Sequence, residues 1–434
     1  MSEGCVLPGY EAQWGENGLD HSQQKLKNAL EDLKPLVECN IEMKPCETEW
    51  DTWAYRCSCS FQVVREGGEF HYAMRQNRQP ILLKSSAFPI ANKRIQMVMD
   101  GLLQRLYNNA HDDVDAGGPG RNSQTTCVIS RHLASVSFAT SWKDSSDADC
   151  FVTLNYGEAV DEDTWRLQAQ AVVDELSLTK LNGRSKKRHF AVYGAEERRD
   201  SIQDTIYLLR LPGPRVSLIR PAEDSAIMVQ YQKPEGAFFH PNARAMLTAL
   251  QWMLNRLESI VKEQPDCSLL EMYCGCGAHT VALARSGLLR SIMAVELDRR
   301  LVQACVCNCQ LNGCYGDEAT PGTTPVRVFE GDAGSWARKS LRQDSSKNQK
   351  SNSHEHHHLH VLLVDPPRMG LDENVCRMAI EGGFHHVIYI SCGRVALLRD
   401  LALLQSHFTV AHCALLDLFP RTDAVESLVH LVRR

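Results

Sequence analysis

Residues Ser268–Asp298 read SLLEMYCGCGAHTVALARSGLLRSIMAVELD. An apolar run closes on G-x-G at Gly275 and Gly277, a helix-like stretch follows, and a second apolar run closes on Glu296. That succession predicts a strand, a tight turn, a helix and a parallel strand. Glycines let the backbone turn sharply and let a ligand approach the start of the following helix. A carboxylate about 20 residues beyond such a turn suits a ribose diol; the bland alternative for Glu296 is a surface acid or helix cap. GCGAHT has no third glycine, so the dinucleotide form of the fingerprint does not fit.

The pattern continues outward. VRVFEGD ends at Asp332, HVLLVDPPR carries Asp365 and Arg368 at its tip, and HHVIYISC ends at Cys392, with helical segments between. PNARAMLTALQWMLNRLESIVKE precedes them as a strongly periodic helix. FTVAHCALLDLFP and ESLVHLVRR suit a closing hairpin. The expectation is an α/β, Rossmann-like doubly wound domain over 233–434, whose ligands bind at the carboxyl ends of the strands. Residues 1–232 read as a mixed α+β region with a substantial antiparallel sheet. NNAHDDVDAGGPGRNSQTT reads as a flexible surface insertion, and RQDSSKNQKSNSHEHHHLH as a polar, low-complexity insertion whose histidines hold a transition metal loosely at most.

The 434 residues carry 43% hydrophobic and 23% charged side chains, ordinary for a globular protein of two or three domains. No apolar run approaches a membrane span, and the polar N-terminus resembles neither a secretory signal nor an Arg-rich transit peptide. Seventeen cysteines without a signal point to reduced thiols in an intracellular compartment, most simply the cytoplasm. Cys39, Cys46, Cys57 and Cys59 lack paired metal-ligand spacing, so no metal is expected. A net charge of −6 excludes a protein that coats nucleic acid by bulk charge. A local patch, KLNGRSKKRH at Lys180–His189, remains, and its alternative is a solvated loop.

Cys392 closes an apolar run instead of lying within it, which is where a structural thiol belongs. The short G-x-G, the acid after the second strand and D-P-P after the fourth favour a methyl donor over a nicotinamide nucleotide. The two prolines of DPPR make a rigid rim, and Arg368 suits a phosphate or a carbonyl oxygen. A thiolate at Cys392 that adds to C6 of a uracil makes C5 nucleophilic enough to accept a methyl group. A neighbouring cation or helix N-terminus would lower the pKa of that thiol. The C5 proton must then leave, and Glu426, after the turn in FPRTDAVESLVHL, is the candidate base.

These residues resemble the RNA uracil-5-methyltransferase family, most closely its TrmA-type, tRNA-modifying branch. The matching pieces are YEAQW at Tyr10–Trp14, YRCSCSF at Tyr55–Phe61, FFHPNARAM at Phe238–Met246, LLEMYCGCG at Leu269–Gly277, VDPPRMGLD at Val364–Asp372, YISC at Tyr389–Cys392 and FPRT…VES at Phe419–Ser427. The resemblance implies Cys392 as nucleophile and Glu426 as base. It implies S-adenosyl-L-methionine as donor, bound by His240, Tyr273, Gly275, Gly277, Glu296 and Asp365; Asp332 joins them from the strand pattern, as the acid at the next tip. Four positions depart from the family pattern. His240 stands for glutamine, Ala278 for asparagine, Gly393 follows the cysteine where the family has Asn-Pro, and Ala424 stands for histidine.

The expected substrate is a tRNA, with the T-loop uridine as target. Ribosomal-RNA relatives often carry a small N-terminal barrel and a cysteine-rich iron–sulfur motif, and neither is evident. The target base must flip out to be reached. Arg368, with Arg184, Lys186, Lys187 and Arg188 of the basic patch, is expected to contact the RNA through phosphates and shape. A monomer is expected. The alternatives are a ribosomal uridine, a cytosine, whose enzymes set the nucleophile beside a proline unlike ISCGR, or an RNA-folding protein that keeps the fold. Retention of both Cys392 and Glu426 argues against the last.

Overall fold

The computed structural model describes residues 17–434 apart from 77–78, 84–87, 116–126, 144, 146, 187, 196–198, 210–214, 222–225, 238 and 347–358. Tyr10–Trp14, Lys187 and most of both low-complexity insertions lie outside the described residues. The chain divides into two compact units. One comprises 1–18, 48–203 and 241–243, and the other 19–47, 204–240 and 244–434. This differs from the expected division at 232/233. Residues 19–47 and 204–232 belong with the C-terminal unit because they pack on its sheet and helices.

That second unit is built on an eight-stranded sheet. Its order is Ile41–Lys44, Phe408–Leu416, Glu426–Arg433, His386–Ser391, Leu359–Val364, Ser268–Met272, Ser291–Glu296 and Val326–Glu330. Every pairing is parallel except those of Glu426–Arg433, which is antiparallel to both neighbours. The closing hairpin expected from sequence is therefore present. Val361–Val364 and Val387–Ile390 are fully buried, as continuous apolar runs should be in strands covered on both faces. The chain starts at the central strand Ser268–Met272, winds outward one way, then crosses back to Leu359–Val364 beside it. This reversal opens a crevice at the strands' carboxyl ends.

Helix Gly18–Leu33 covers part of one face through Leu26, Ala29 and Leu33, spaced three and four apart. The same helix sends Lys25 into the loop before the last strand. Its ammonium donates to the carbonyls of Phe419, Thr422 and Ala424 at 2.8–3.0 Å and pairs with Asp417 at 2.5 Å. Helix Arg299–Leu311 is tied to strand Ile227–Pro234 by two buried asparagines. Asn308 and Asn312 each exchange a pair of amide bonds with the backbone of Gln232 and Gln230.

The first unit is a seven-stranded sheet in the order Gln79–Leu82, Glu69–Gln76, Ser58–Glu66, Leu133–Thr140, Cys150–Tyr156, Lys180–Ser185 and Arg188–Tyr193. It is antiparallel apart from the Cys150–Tyr156/Lys180–Ser185 pair, which helix Glu162–Glu175 connects. Helix Lys93–Asp115 packs on the same core. The basic patch is a hairpin here, not a solvated loop: Lys180–Ser185 is a strand whose residues are mostly buried. Gly183 is required there, because a Cβ would lie 1.9 Å from the Phe190 ring.

Lys25 and Asp417 are both buried, so removing one leaves the other charged and unpaired. Lys25→Met should cost about 3–5 kcal/mol of stability. Urea denaturation checks this, and a loss under 1 kcal/mol would show that the pair does not hold the loop.

Candidate active site

The turn after the central strand is held in left-handed backbone at alternate residues, with φ of 65° at Tyr273, 57° at Gly275 and 86° at Gly277. Only glycine adopts this without strain, so Tyr273 is strained. The two glycines serve different needs. A Cβ at Gly275 would meet nothing within 4 Å, leaving open space for a ligand, whereas one at Gly277 would lie 2.8 Å from Cys305 Sγ, beneath the turn. Asn308 Nδ2 also donates to the Cys276 carbonyl at 2.9 Å.

Glu296 accepts the Gly275 amide at 3.0 Å on one oxygen and the Asp298 amide at 2.8 Å on the other. Each oxygen keeps a lone pair for a hydroxyl donor. Leu297, next in the chain, is 64% exposed, an apolar surface beside that carboxylate which sequence reading passed over. Asp332 is exposed and accepts the Ser335 amide at 2.9 Å, so it caps its own helix as well as facing the crevice edge. An open glycine, a carboxylate with free lone pairs and an exposed apolar side chain fit a nucleoside-bearing donor.

The second half of the site gathers Asp365, Arg368, Cys392 and Glu426. Ile390 pairs with Leu428 and Ser391 with Ser427, and continuing that register sets Cys392 opposite Glu426. Val364 pairs with Tyr389, which brings the Asp365 tip alongside. Burial raises the Cys392 thiol pKa, the charges of Glu426 and Asp365 add to this, and Arg368 opposes it. A neighbouring cation, Arg368, does lower the thiol as expected, but burial and two acids outweigh that one exposed guanidinium, so the resting thiol is pushed up. Burial also pushes Glu426 well above the usual carboxylate range, with Asp365 reinforcing and Arg368 opposing. Asp365 is pushed up to about 7 by burial.

His240 Nε2 lies 4.0 Å from Asp365 Oδ2, and His279 Nδ1 lies 3.9 Å from the same oxygen. The two rings are 5.3 Å apart. Burial lowers His240 to about 4, and burial with His240 lowers His279 to about 3, so both are neutral near pH 7. His279 was missed in the sequence. The available signal was a polar residue among Thr280, Val281, Ala282 and Leu283 on a helix too apolar to face water.

Two anchors fix the rim. Asp400, fully buried, accepts from the Leu371 amide at 2.8 Å and Tyr389 hydroxyl at 2.7 Å. Gly393 admits the Arg368 carbonyl, which a Cβ there would approach to 2.4 Å. Elsewhere, in the first unit, Lys180 is buried against Phe151 and Tyr193 and pairs with Asp200 at 2.7 Å, a structural use. Arg184 is half-buried, and Lys186 and Arg188 are exposed at the hairpin tip. Among the described residues no cysteine forms a disulfide, and no helix is long and apolar enough to cross a membrane.

Residues 121–434 match the profile of the tRNA (Uracil-5-)-methyltransferase family. A tRNA/tmRNA (uracil-C(5))-methyltransferase of Azotobacter vinelandii (strain DJ / ATCC BAA-1303) is 30% identical over 391 residues, and one of Stutzerimonas stutzeri (strain A1501) is 29% identical over 389, each likeness covering 88% of both chains. The crystal structure of Pyrococcus abyssi tRNA (uracil-54, C5)-methyltransferase in complex with S-adenosyl-L-homocysteine shares the fold. Its TM-score is 0.59 at 16% identity, covering 95% of this chain and 85% of that one. With the strand order above, the chain is a Rossmann-like methyltransferase that uses S-adenosyl-L-methionine. It belongs to the tRNA (uracil-5-)-methyltransferase family.

Glu271, buried in the central strand, accepts the Thr280 hydroxyl at 2.7 Å and is pushed up to about 8 by burial. The native state thus holds a proton that the unfolded chain releases near 4.5. This contribution to stability is complete below about 4.5 and declines as pH rises towards about 8. Glu271→Gln removes that decline, so the stability of the variant relative to wild type should grow across this window. Urea titrations at stepped pH check it; a constant difference would mean the buried carboxyl is already ionised.

Proposed function

We propose that this chain methylates C5 of a uridine in tRNA, with the T-loop uridine as target. The supporting observation is the register that sets Cys392 opposite Glu426 at the tips of adjacent antiparallel strands, with Asp365 and Arg368 acting on both. A pure RNA binder has no use for a thiol and a buried acid so placed.

Tyr273, Gly275, Gly277, Glu296, Asp332, Asp365 and His240 hold S-adenosyl-L-methionine, Glu296 through the ribose hydroxyls. When bound, it supplies an electrophilic methyl group to a nucleophilic uracil C5. The Cys392 thiolate adds to C6, forming a C–S bond, and the C5–C6 electron pair moves towards the C4 carbonyl. Arg368, exposed at the rim, faces that oxygen or a flanking phosphate. After C5 carries the methyl group, the Glu426 carboxylate takes the C5 proton. The C–H electrons re-form the C5–C6 double bond, and the thiolate leaves. The raised pKa of Glu426 makes its carboxylate a stronger base than an exposed one, and the raised pKa of Cys392 makes its thiolate a stronger nucleophile. The Cys392 thiol, raised above its ordinary value, is mostly protonated near neutrality, so activity should rise with pH above it.

At two of the departures from the family pattern the backbone carbonyl is used structurally. Ala278 offers its carbonyl to Tyr231 at 2.9 Å, and the Ala424 carbonyl accepts from Lys25 at 3.0 Å. In the first unit, Arg184, Lys186, Lys187 and Arg188 contact phosphates of the tRNA.

Glu426→Gln permits addition and methylation but not elimination. With tRNA and donor it should accumulate a protein–RNA adduct that survives denaturing electrophoresis, and Cys392→Ala should form no adduct and no product while still binding tRNA. An adduct in the Cys392→Ala variant, or full turnover by it, would refute the assignment.

A further inference from the structure

His240, His279 and Asp365 place two imidazoles and a carboxyl group around one point, and the geometry points to a binding site for a single divalent transition-metal ion. One ligand atom from each residue lies within 4.8 Å of the others, and two of the three sides are 4.0 and 3.9 Å. The point equidistant from atoms so spaced is no more than about 2.5 Å from each, against roughly 2.0–2.2 Å for zinc bound to nitrogen and oxygen. Closing that gap takes side-chain shifts of a few tenths of an ångström.

The donor set also fits chemically. Both rings are at least nine-tenths buried, and the nitrogens that face Asp365 are His240 Nε2 and His279 Nδ1. Desolvated imidazole with carboxylate suits zinc and its first-row neighbours rather than calcium or magnesium, which prefer all-oxygen sets. Asp365 is 23% exposed, so the site has an open side that leaves a coordination position for water. Three protein ligands and a water complete a tetrahedron.

A metal here shares His240 and Asp365 with the donor, so the two exclude each other; this consequence rests on the donor assignment proposed above. The metal site itself does not.

The test uses the full chain with His354, His356, His357 and His358 replaced by serine, which removes the loose histidine cluster of the low-complexity insertion. After chelation and dialysis, Co²⁺ is titrated in. Its visible bands report tetrahedral geometry, and its near-ultraviolet thiolate band reports any cysteine ligation. One equivalent should bind without the thiolate band and be displaced by Zn²⁺. His279→Gln and Asp365→Asn should each weaken binding at least roughly tenfold. Far-ultraviolet circular dichroism and urea midpoints establish that each variant is folded, and His240→Gln carries the test if His279→Gln is not. No bound Co²⁺, a thiolate band, or unchanged affinity in the folded variants would overturn the proposal. S-adenosyl-L-homocysteine should weaken Co²⁺ binding. Binding that depends on His279 yet ignores this ligand would leave the metal site standing and remove Asp365 from the donor site.

Discussion

The antiparallel pairing of His386–Ser391 with Glu426–Arg433 is the constraint on which the rest of the site depends. A parallel strand in that place would carry Glu426 to the opposite end of the sheet. Because the last strand runs backwards, its first residue lies at the same edge as the last residue of its neighbour. Burial on both faces fixes the register, since a slip of one residue would turn every side chain to the other face. The loop before Glu426 has no such protection, and Lys25 supplies it by binding three carbonyls and Asp417 from another element.

Electrostatics in the crevice follow from too many acids in too little water. Burial raises Asp365, Glu426 and the Cys392 thiol; Asp365 adds to the shift of Glu426, both acids add to that of the thiol, and Arg368 opposes the last two. The thiol in such a site is protonated and unreactive at rest. A cation bound beside these groups would favour their ionised forms, so donor binding and deprotonation should be linked. A divalent ion at Asp365 would draw on the same charge deficit.

Much of this was legible in the sequence because it rests on local pattern. Runs closing on Gly275, Glu296, Asp332, Asp365 and Cys392 announce parallel strands with loaded tips, and the order of those tips follows from known winding rules. What was not legible depends on contacts distant in sequence. Nothing near Lys25 signals that it reaches residues nearly 400 positions away. The strand Lys180–Ser185 was hidden by its charged residues, because Lys180 is buried through pairing with Asp200 rather than by hydrophobicity. His279 carried no signal beyond its place in an apolar helix, and it lies buried beside Asp365. The thiol's direction of shift also needed the structure, since the competing terms are burial and neighbours brought in by folding.

The most direct measurement is release of tritium from tRNA transcripts carrying uridine labelled at C5, run with S-adenosyl-L-methionine. Loss of the C5 proton through Cys392 and Glu426 predicts one tritium released into water for each methyl group incorporated, with the methyl recovered as 5-methyluridine. Methyl incorporation without tritium release would place the reaction at another atom and contradict the account.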